Sequence, residues 1–221
     1  MIFLAVVAAA TVGAAPMNDA SAPPDGTYSY SITQAGSQLG TSTVTVKRNG
    51  GNIVLHETET MGTLSFVVDE TLDSSTLNPK TYVASYTKDS YTQTARGAFD
   101  RSGATVSFDG VPGNQVFPFT SGNRNAYVLE QSLLTGFFML PAQIHATRAS
   151  QFMQVVPSQV LTLTSRINGT PAGPKPASIP AQDVSLAIGS KVNFDEWYDP
   201  NTFVLQAVSV PVQDVLIKLT K

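Results

Sequence analysis

Hydrophobic and polar residues alternate along most of this chain. Tyr28, Tyr30 and Ile32 alternate with Ser29, Ser31 and Thr33, and Val44 and Val46 with Thr43 and Thr45. Successive side chains of an extended strand face opposite sides of a sheet, so this period of two predicts strands. The same pattern predicts strands over 53–59, 64–68, 82–86, 91–99, around Val106 and Phe108, and over 116–119. It resumes later over 159–167, 183–188, 191–198, 203–210 and 212–219. Turn-forming residues such as Ala35-Gly36-Ser37, Asn49-Gly50-Gly51 and Lys88-Asp89-Ser90 separate the runs. Short strands joined by tight turns predict an antiparallel meander.

The period changes over 126–146. Leu129, Leu133, Phe137, Leu140 and Ile144 recur at helical spacing and share one face. Glu130 sits early in this stretch, where a carboxylate complements the positive end of a helix. Gly136 weakens the interior and Pro141 removes a donor, which predicts two short helices or one kinked helix. Phe137, Phe138, Met139 and Leu140 make the segment apolar on most sides, so it is expected either to plug a core or to cover a cavity. The expected fold is mainly β: a curved antiparallel meander or half-barrel of about ten or more strands with one apolar helical segment near 127–147.

Composition narrows the chemistry. Only 13% of the 221 residues are charged, against about 25% in ordinary domains, and 24 Thr and 21 Ser take up the polar surface. The net charge of −3 without a basic tract argues against a nucleic-acid partner. With no Cys there are no disulfides, thiolate metal sites or cysteine nucleophiles, and the two His leave little for imidazole chemistry. No cofactor is expected.

Residues 1–15 are apolar and end in small residues, which predicts a signal peptide cut near Ala14, with an uncleaved anchor as the alternative. A flexible leader is expected over 16–25 and a single β-rich domain over 26–221, with a Pro/Gly-rich loop at 168–180. No other stretch is long enough to cross a membrane as a helix, so the expected location is periplasmic or extracellular.

Catalytic motifs are absent or misplaced. Ser85-Tyr86-Thr87-Lys88 spells S-x-x-K, but on a strand Ser85 and Lys88 point to opposite faces. Leu72-Asp73-Ser74-Ser75 lacks the glycine of an aspartic-protease loop. His56 lies in Ile53-Val54-Leu55-His56-Glu57, with Glu57 and Glu59 on the opposite face, a face expected to be solvated. Asp199 and Asn201, in the acidic group that starts at Asp195, could offer oxygens to calcium, with a hairpin turn beside Trp197 as the simpler reading.

Two hairpins share a pattern: Asp73 and Thr76 before one strand, Asp199 and Thr202 before another. In each, an Asx-turn is expected, the Asp carboxylate accepting from backbone N–H groups further on. With the signal peptide, the long meander, the apolar segment and the Asp-x-x-Thr-Leu-x-Pro hairpin, the chain resembles periplasmic proteins of the lipoprotein-carrier-like superfamily. The resemblance implies an incomplete barrel with helices over an apolar cavity, although this chain lacks the helix that precedes the first strand in the carriers. The expected function is then an exported envelope protein that binds a lipid or other apolar small molecule between sheet and helix, with Leu133, Phe137, Phe138, Leu140 and Ile144 as ligand-binding residues. A structural or interaction module using the Ser/Thr-rich faces, and a hydrolase with a dispersed site, are the alternatives.

Overall fold

The computed structural model describes residues 22–119, 125–130, 133–168, 170–180, 184–189 and 193–221. The expected signal segment and most of the expected leader lie outside the described residues. Eight strands follow one another as a meander: β1 (Gly26–Gln34), β2 (Ser37–Asn49), β3 (Asn52–Met61), β4 (Leu64–Asp73), β5 (Pro79–Lys88), β6 (Tyr91–Phe99), β7 (Gly103–Phe108) and β8 (Gln115–Pro118). Then come β9 (Ala126–Val128), α1 (Leu134–Thr147), β10 (Gln151–Val156), β11 (Leu161–Asn168), β12 (Val184–Gly189), β13 (Phe194–Tyr198), β14 (Leu205–Val210) and β15 (Val215–Leu219).

All fifteen strands belong to one sheet. The first eight run in order from β8 back to β1, β1 pairs with β15, and the order then descends to β9. Every ladder is antiparallel except β9–β10, which is parallel. The expected half-barrel is therefore incorrect: the sheet is an open, mixed meander whose end strands β8 and β9 share no ladder. Closure depends on the register and stagger of every strand pair, and alternation along a chain reports only which face a residue takes. The carrier-like architecture implied by the resemblance falls with it.

Local chemistry explains the hairpins. Ala35 and Gly36 both take positive φ, 49° and 76°, the two-residue turn whose twist matches that of the flanking strands. The Asp turns also form as expected. Asp73 Oδ1 accepts from the N–H of Ser75 and of Thr76, and Asp199 Oδ1 from the N–H of Asn201 and of Thr202. Each closes through a residue with positive φ, Leu77 at 57° and Phe203 at 59°.

The helical region departs from the reading in two ways. Residues 126–128 are strand β9 rather than helix, and a single helix runs through Pro141 without splitting. Strands β9 and β10 escaped notice because Ala126–Val128 and Phe152–Val156 are buried at every position, which erases alternation. Gly136 is explained by a close approach: a Cβ there would lie 2.0 Å from the carbonyl oxygen of Val128 on β9. Helix and strand pack backbone to backbone at this point, and only glycine fits.

The inner face of the sheet and α1 form the main core, where Phe137, Phe138 and Leu140 meet Tyr30, Ile32, Leu55, Phe194 and Val208. A smaller cluster joins Ala104 and Val106 of β7 to Met153 and Val155 of β10. On the opposite face of β13, Trp197 packs with Ile179 and Ala207. The Pro/Gly-rich loop is fastened there: Asp195 accepts from the N–H groups of Ala172 at 3.0 Å and Gly173 at 2.9 Å.

Candidate functional site

The apolar segment is packed, not open. Leu133, Phe137, Phe138 and Leu140 are buried and Ile144 half-buried. Phe138 meets Tyr28 and Tyr30 at ring-centroid distances of 5.1 Å and 6.4 Å, and Phe137 meets Phe194 edge-on at 4.9 Å. Leu133 joins Phe66, Val68 and Tyr82 in a neighbouring cluster. Among the described residues, protein side chains fill the space between helix and sheet that a lipid or other apolar ligand would occupy, with no enclosed pocket. The expected lipid-binding function and its apolar partner are thereby overturned. A stripe of apolar residues looks the same from sequence whether it faces a cavity or a core.

The sheet interior carries a second surprise. Glu57, Glu59 and Glu70 are all buried, with 2% exposure or less, whereas a solvated face was expected for the first two. Glu57 and Glu59 do lie on the face opposite His56, but theirs is the buried face and His56 is exposed. Glu57 is ligated on both oxygens. Its Oε1 accepts from Ser42 Oγ at 2.8 Å and from the N–H of Leu134 at 2.9 Å. Its Oε2 accepts from the N–H of Thr135 at 2.8 Å and from the Thr135 hydroxyl. The helix has no side-chain cap of its own at Leu133, so a carboxylate from β3 supplies one. Glu130, expected in that role, instead accepts from the N–H and hydroxyl of Ser158.

Glu59, Glu70 and Glu196 lack this support. Neither oxygen of Glu59 or of Glu196 has a hydrogen-bond partner, nor has Glu70 Oε2. Burial, with the nearby charge of Glu57, pushes Glu59 up to about 10 and Glu70 up to about 8. Burial alone raises Glu196 far above the carboxylate range. Glu130 is raised by burial, partly offset by its bonds from Ser158. Tyr82 and Tyr86 lie beside this group and are raised mainly by desolvation. Facing carboxyls of unequal acidity are the raw material of acid–base catalysis, but these are enclosed by the core, where no substrate reaches them.

The outer face of β1–β6 is built differently. One register row crosses six neighbouring strands as Ser31, Thr41, Thr60, Ser65, Thr87 and Thr92. The adjacent row reads Ser29, Thr43, Thr58, Val67, Ser85 and Thr94. Hydroxyls pair across strands at Thr41–Thr60, 3.3 Å, and Thr87–Thr92, 2.9 Å. Strand spacing sets about 4.8 Å between members of a row and about 7 Å between rows. All twelve positions are exposed or half-exposed, and none is charged. Charge begins in the next row, where His56 pairs with Asp69 at 2.8 Å and Arg96 with Asp109 at 3.2 Å.

Other sequence candidates resolve simply. Ser85 and Lys88 sit three apart on β5 and do not converge. Asp195 fastens the loop, and Asp199 closes its turn. Among the described residues no group of His, Asp and Glu is placed to hold a metal ion, and no helix is long and apolar enough to cross a membrane. Comparison with protein-family models, curated proteins and solved structures finds no match for this chain. The likeness to the lipoprotein-carrier-like superfamily is therefore withdrawn on architecture and finds no support from relatives.

Proposed function

We propose that the protein is a binding module that holds a neutral polysaccharide chain across the outer face of β1–β6. The observation that carries this reading is the pair of uncharged rows spanning six strands in register, with a hydroxyl at every position but Val67. Each hydroxyl both donates and accepts, and each Thr adds a methyl group, so the surface suits a polymer that is itself dense in hydroxyls and C–H faces. Neither row offers the Trp, Tyr or Arg anchors on which tight protein interfaces depend. Beside the rows, Asp69 shares a hydrogen bond with His56 and Arg96 is paired with Asp109, so the described residues there form no cluster of positive charge to draw anionic lipid or nucleic acid. Sheet twist turns each strand by about 20° from its neighbour, so a bendable chain follows the rows better than a rigid flat lattice does. Individual contacts are weak, and repetition supplies the affinity.

Affinity electrophoresis through gels containing soluble neutral glucans or xylans tests the reading. Wild type should be retarded, and a Thr43→Glu, Thr58→Glu, Ser85→Glu variant of unchanged circular dichroism should migrate freely. Retardation that survives this variant, or none in any neutral polysaccharide, would overturn it.

A further inference from the structure

We propose that Glu57, Glu59 and Glu70 form a proton-dependent latch on α1, which stays docked while Glu59 and Glu70 are neutral and releases its N-terminal half when they ionise. The geometry begins with Glu57, whose carboxylate holds the first two N–H groups of the helix. Glu59 follows two residues later on the same face of β3, nearly fully buried, with both oxygens unpartnered. Glu70 approaches from β4, opposite Leu55 of β3 and Tyr82 of β5. A neutral carboxyl at these places is tolerable. A second carboxylate beside Glu57 is not, because among the described residues around it none supplies a compensating charge.

The surroundings bear this out element by element. Strand β1 contributes Tyr30, whose hydroxyl donates to the carbonyl of Leu205, and β2 contributes Ser42, already bonded to Glu57. Strand β5 contributes Tyr82 and Tyr86, both phenols held neutral by burial. The segment before α1 contributes Glu130, another acid, engaged with Ser158. The charge acting on Glu59 and Glu70 is that of Glu57, and it is repulsive. Relief comes from admitting water, which breaks the grip of Glu57 on Leu134 and Thr135.

The other end of α1 is fastened by Gln143, Thr147 and Tyr127, and burial pushes the phenol of Tyr127, the one ionisable group among them, up to about 12. Gln143 donates to the carbonyl of Leu77 at 2.8 Å, and the hydroxyls of Tyr127 and Thr147 pair at 2.9 Å. These bonds do not respond to alkali over the range in which Glu70 and Glu59 titrate, from about 8 to about 10. Release therefore starts at Leu134 and leaves the Gln143 end docked.

The chain carries its own control. Its sole tryptophan, Trp197, lies in a separate cluster on the far face of β13, so its emission follows global unfolding and not the latch. Amide hydrogen exchange of 134–140, normalised to the rate of an unstructured peptide at each pH, should lose protection by at least about tenfold across that titration, the change one unit of proton linkage carries. Trp197 emission should stay constant. A Glu59→Gln, Glu70→Gln variant should keep α1 protected throughout. Should that variant not fold, Glu70→Gln alone should move the onset of release upward. Constant protection in wild type, equal loss in the variants, or loss concurrent with a change in Trp197 emission would each overturn the latch.

Discussion

Glu57 and Thr135 stand 78 positions apart, yet one carboxylate oxygen of Glu57 accepts both the backbone N–H and the hydroxyl of Thr135. This contact joins the middle of the meander to the start of the helix and makes helix docking depend on a charge within the sheet. Hydrogen bonds to a buried charge contribute about 1.5–3 kcal/mol each, and the donors left behind would be unsatisfied. Glu57→Ala should therefore destabilise the fold by about 3 kcal/mol or more. Glu57→Gln should cost less, since one carbonyl oxygen remains to accept. Urea denaturation of the two variants checks the order; equal stability of wild type and Glu57→Ala would contradict it.

The packed state of α1 gives a second expectation. Phe137 touches Phe194 edge-on inside the main core, so Phe137→Ala should cost the full large-to-small penalty of about 3–5 kcal/mol. Gly136→Ala introduces one carbon where the Val128 carbonyl oxygen already stands, and backbone cannot step aside as a side chain can. It should lower the melting temperature although alanine is the better helix former. A Gly136→Ala protein more stable than wild type would mean that helix and β9 are less closely apposed.

These sites show what the sequence revealed and where it stopped. Alternation marked most strands of the meander, and the Asp-x-x-Thr spacing foretold both Asx-turns, because each signal is local. Strands β9 and β10 gave no such signal, being buried on both sides. Glu57 and Glu59 misled for a different reason. Acidic residues alternating with Thr58 and Thr60 read as a solvated face, since carboxylates are almost never buried unless paired. The partner that makes the burial of Glu57 tolerable is the start of a helix 77 residues downstream of it, and no spacing rule links the two. The Ser/Thr face was visible as composition, and only strand register turned it into rows.

The Asx-turns supply a prediction of their own. Asp73 accepts from Ser75 and Thr76 and pairs with Lys80 at 2.9 Å, and these contacts hold its carboxyl far below the usual range. A depressed carboxylate stabilises the fold above its unfolded value of 3.8, and that contribution fades as pH falls below it. Asp73→Ala should lower stability at neutral pH by about 0.5–2 kcal/mol, the range for comparable side-chain caps, and by less in strong acid. Asp199→Ala should behave similarly at neutral pH, because its turn repeats the same two backbone bonds. A loss at Asp73 that grows with acidity would show the sign to be wrong.

The unsupported interior carboxyls set the opposite trend. Glu70 titrates near 8 when folded against 4.5 for an ordinary glutamate. Between those values the unfolded chain gives up the proton while the folded chain keeps it, so the contribution of this group to stability declines as pH rises. The slope is at most about 1.4 kcal/mol per pH unit for one group, and it ends once the folded form has also ionised. Glu196, buried with no partner for either oxygen, adds a decline of the same sign. Glu70→Gln and Glu196→Gln keep shape and neutrality but cannot ionise, so each should be more stable relative to wild type at about pH 8 than at about pH 5. Their stability should also vary less with pH, and the double variant should be flatter than either single one. Denaturant titrations at both pH values measure this directly. Parallel pH profiles for wild type and variants would mean that water or a partner already satisfies these carboxyls and lets them ionise in the folded protein.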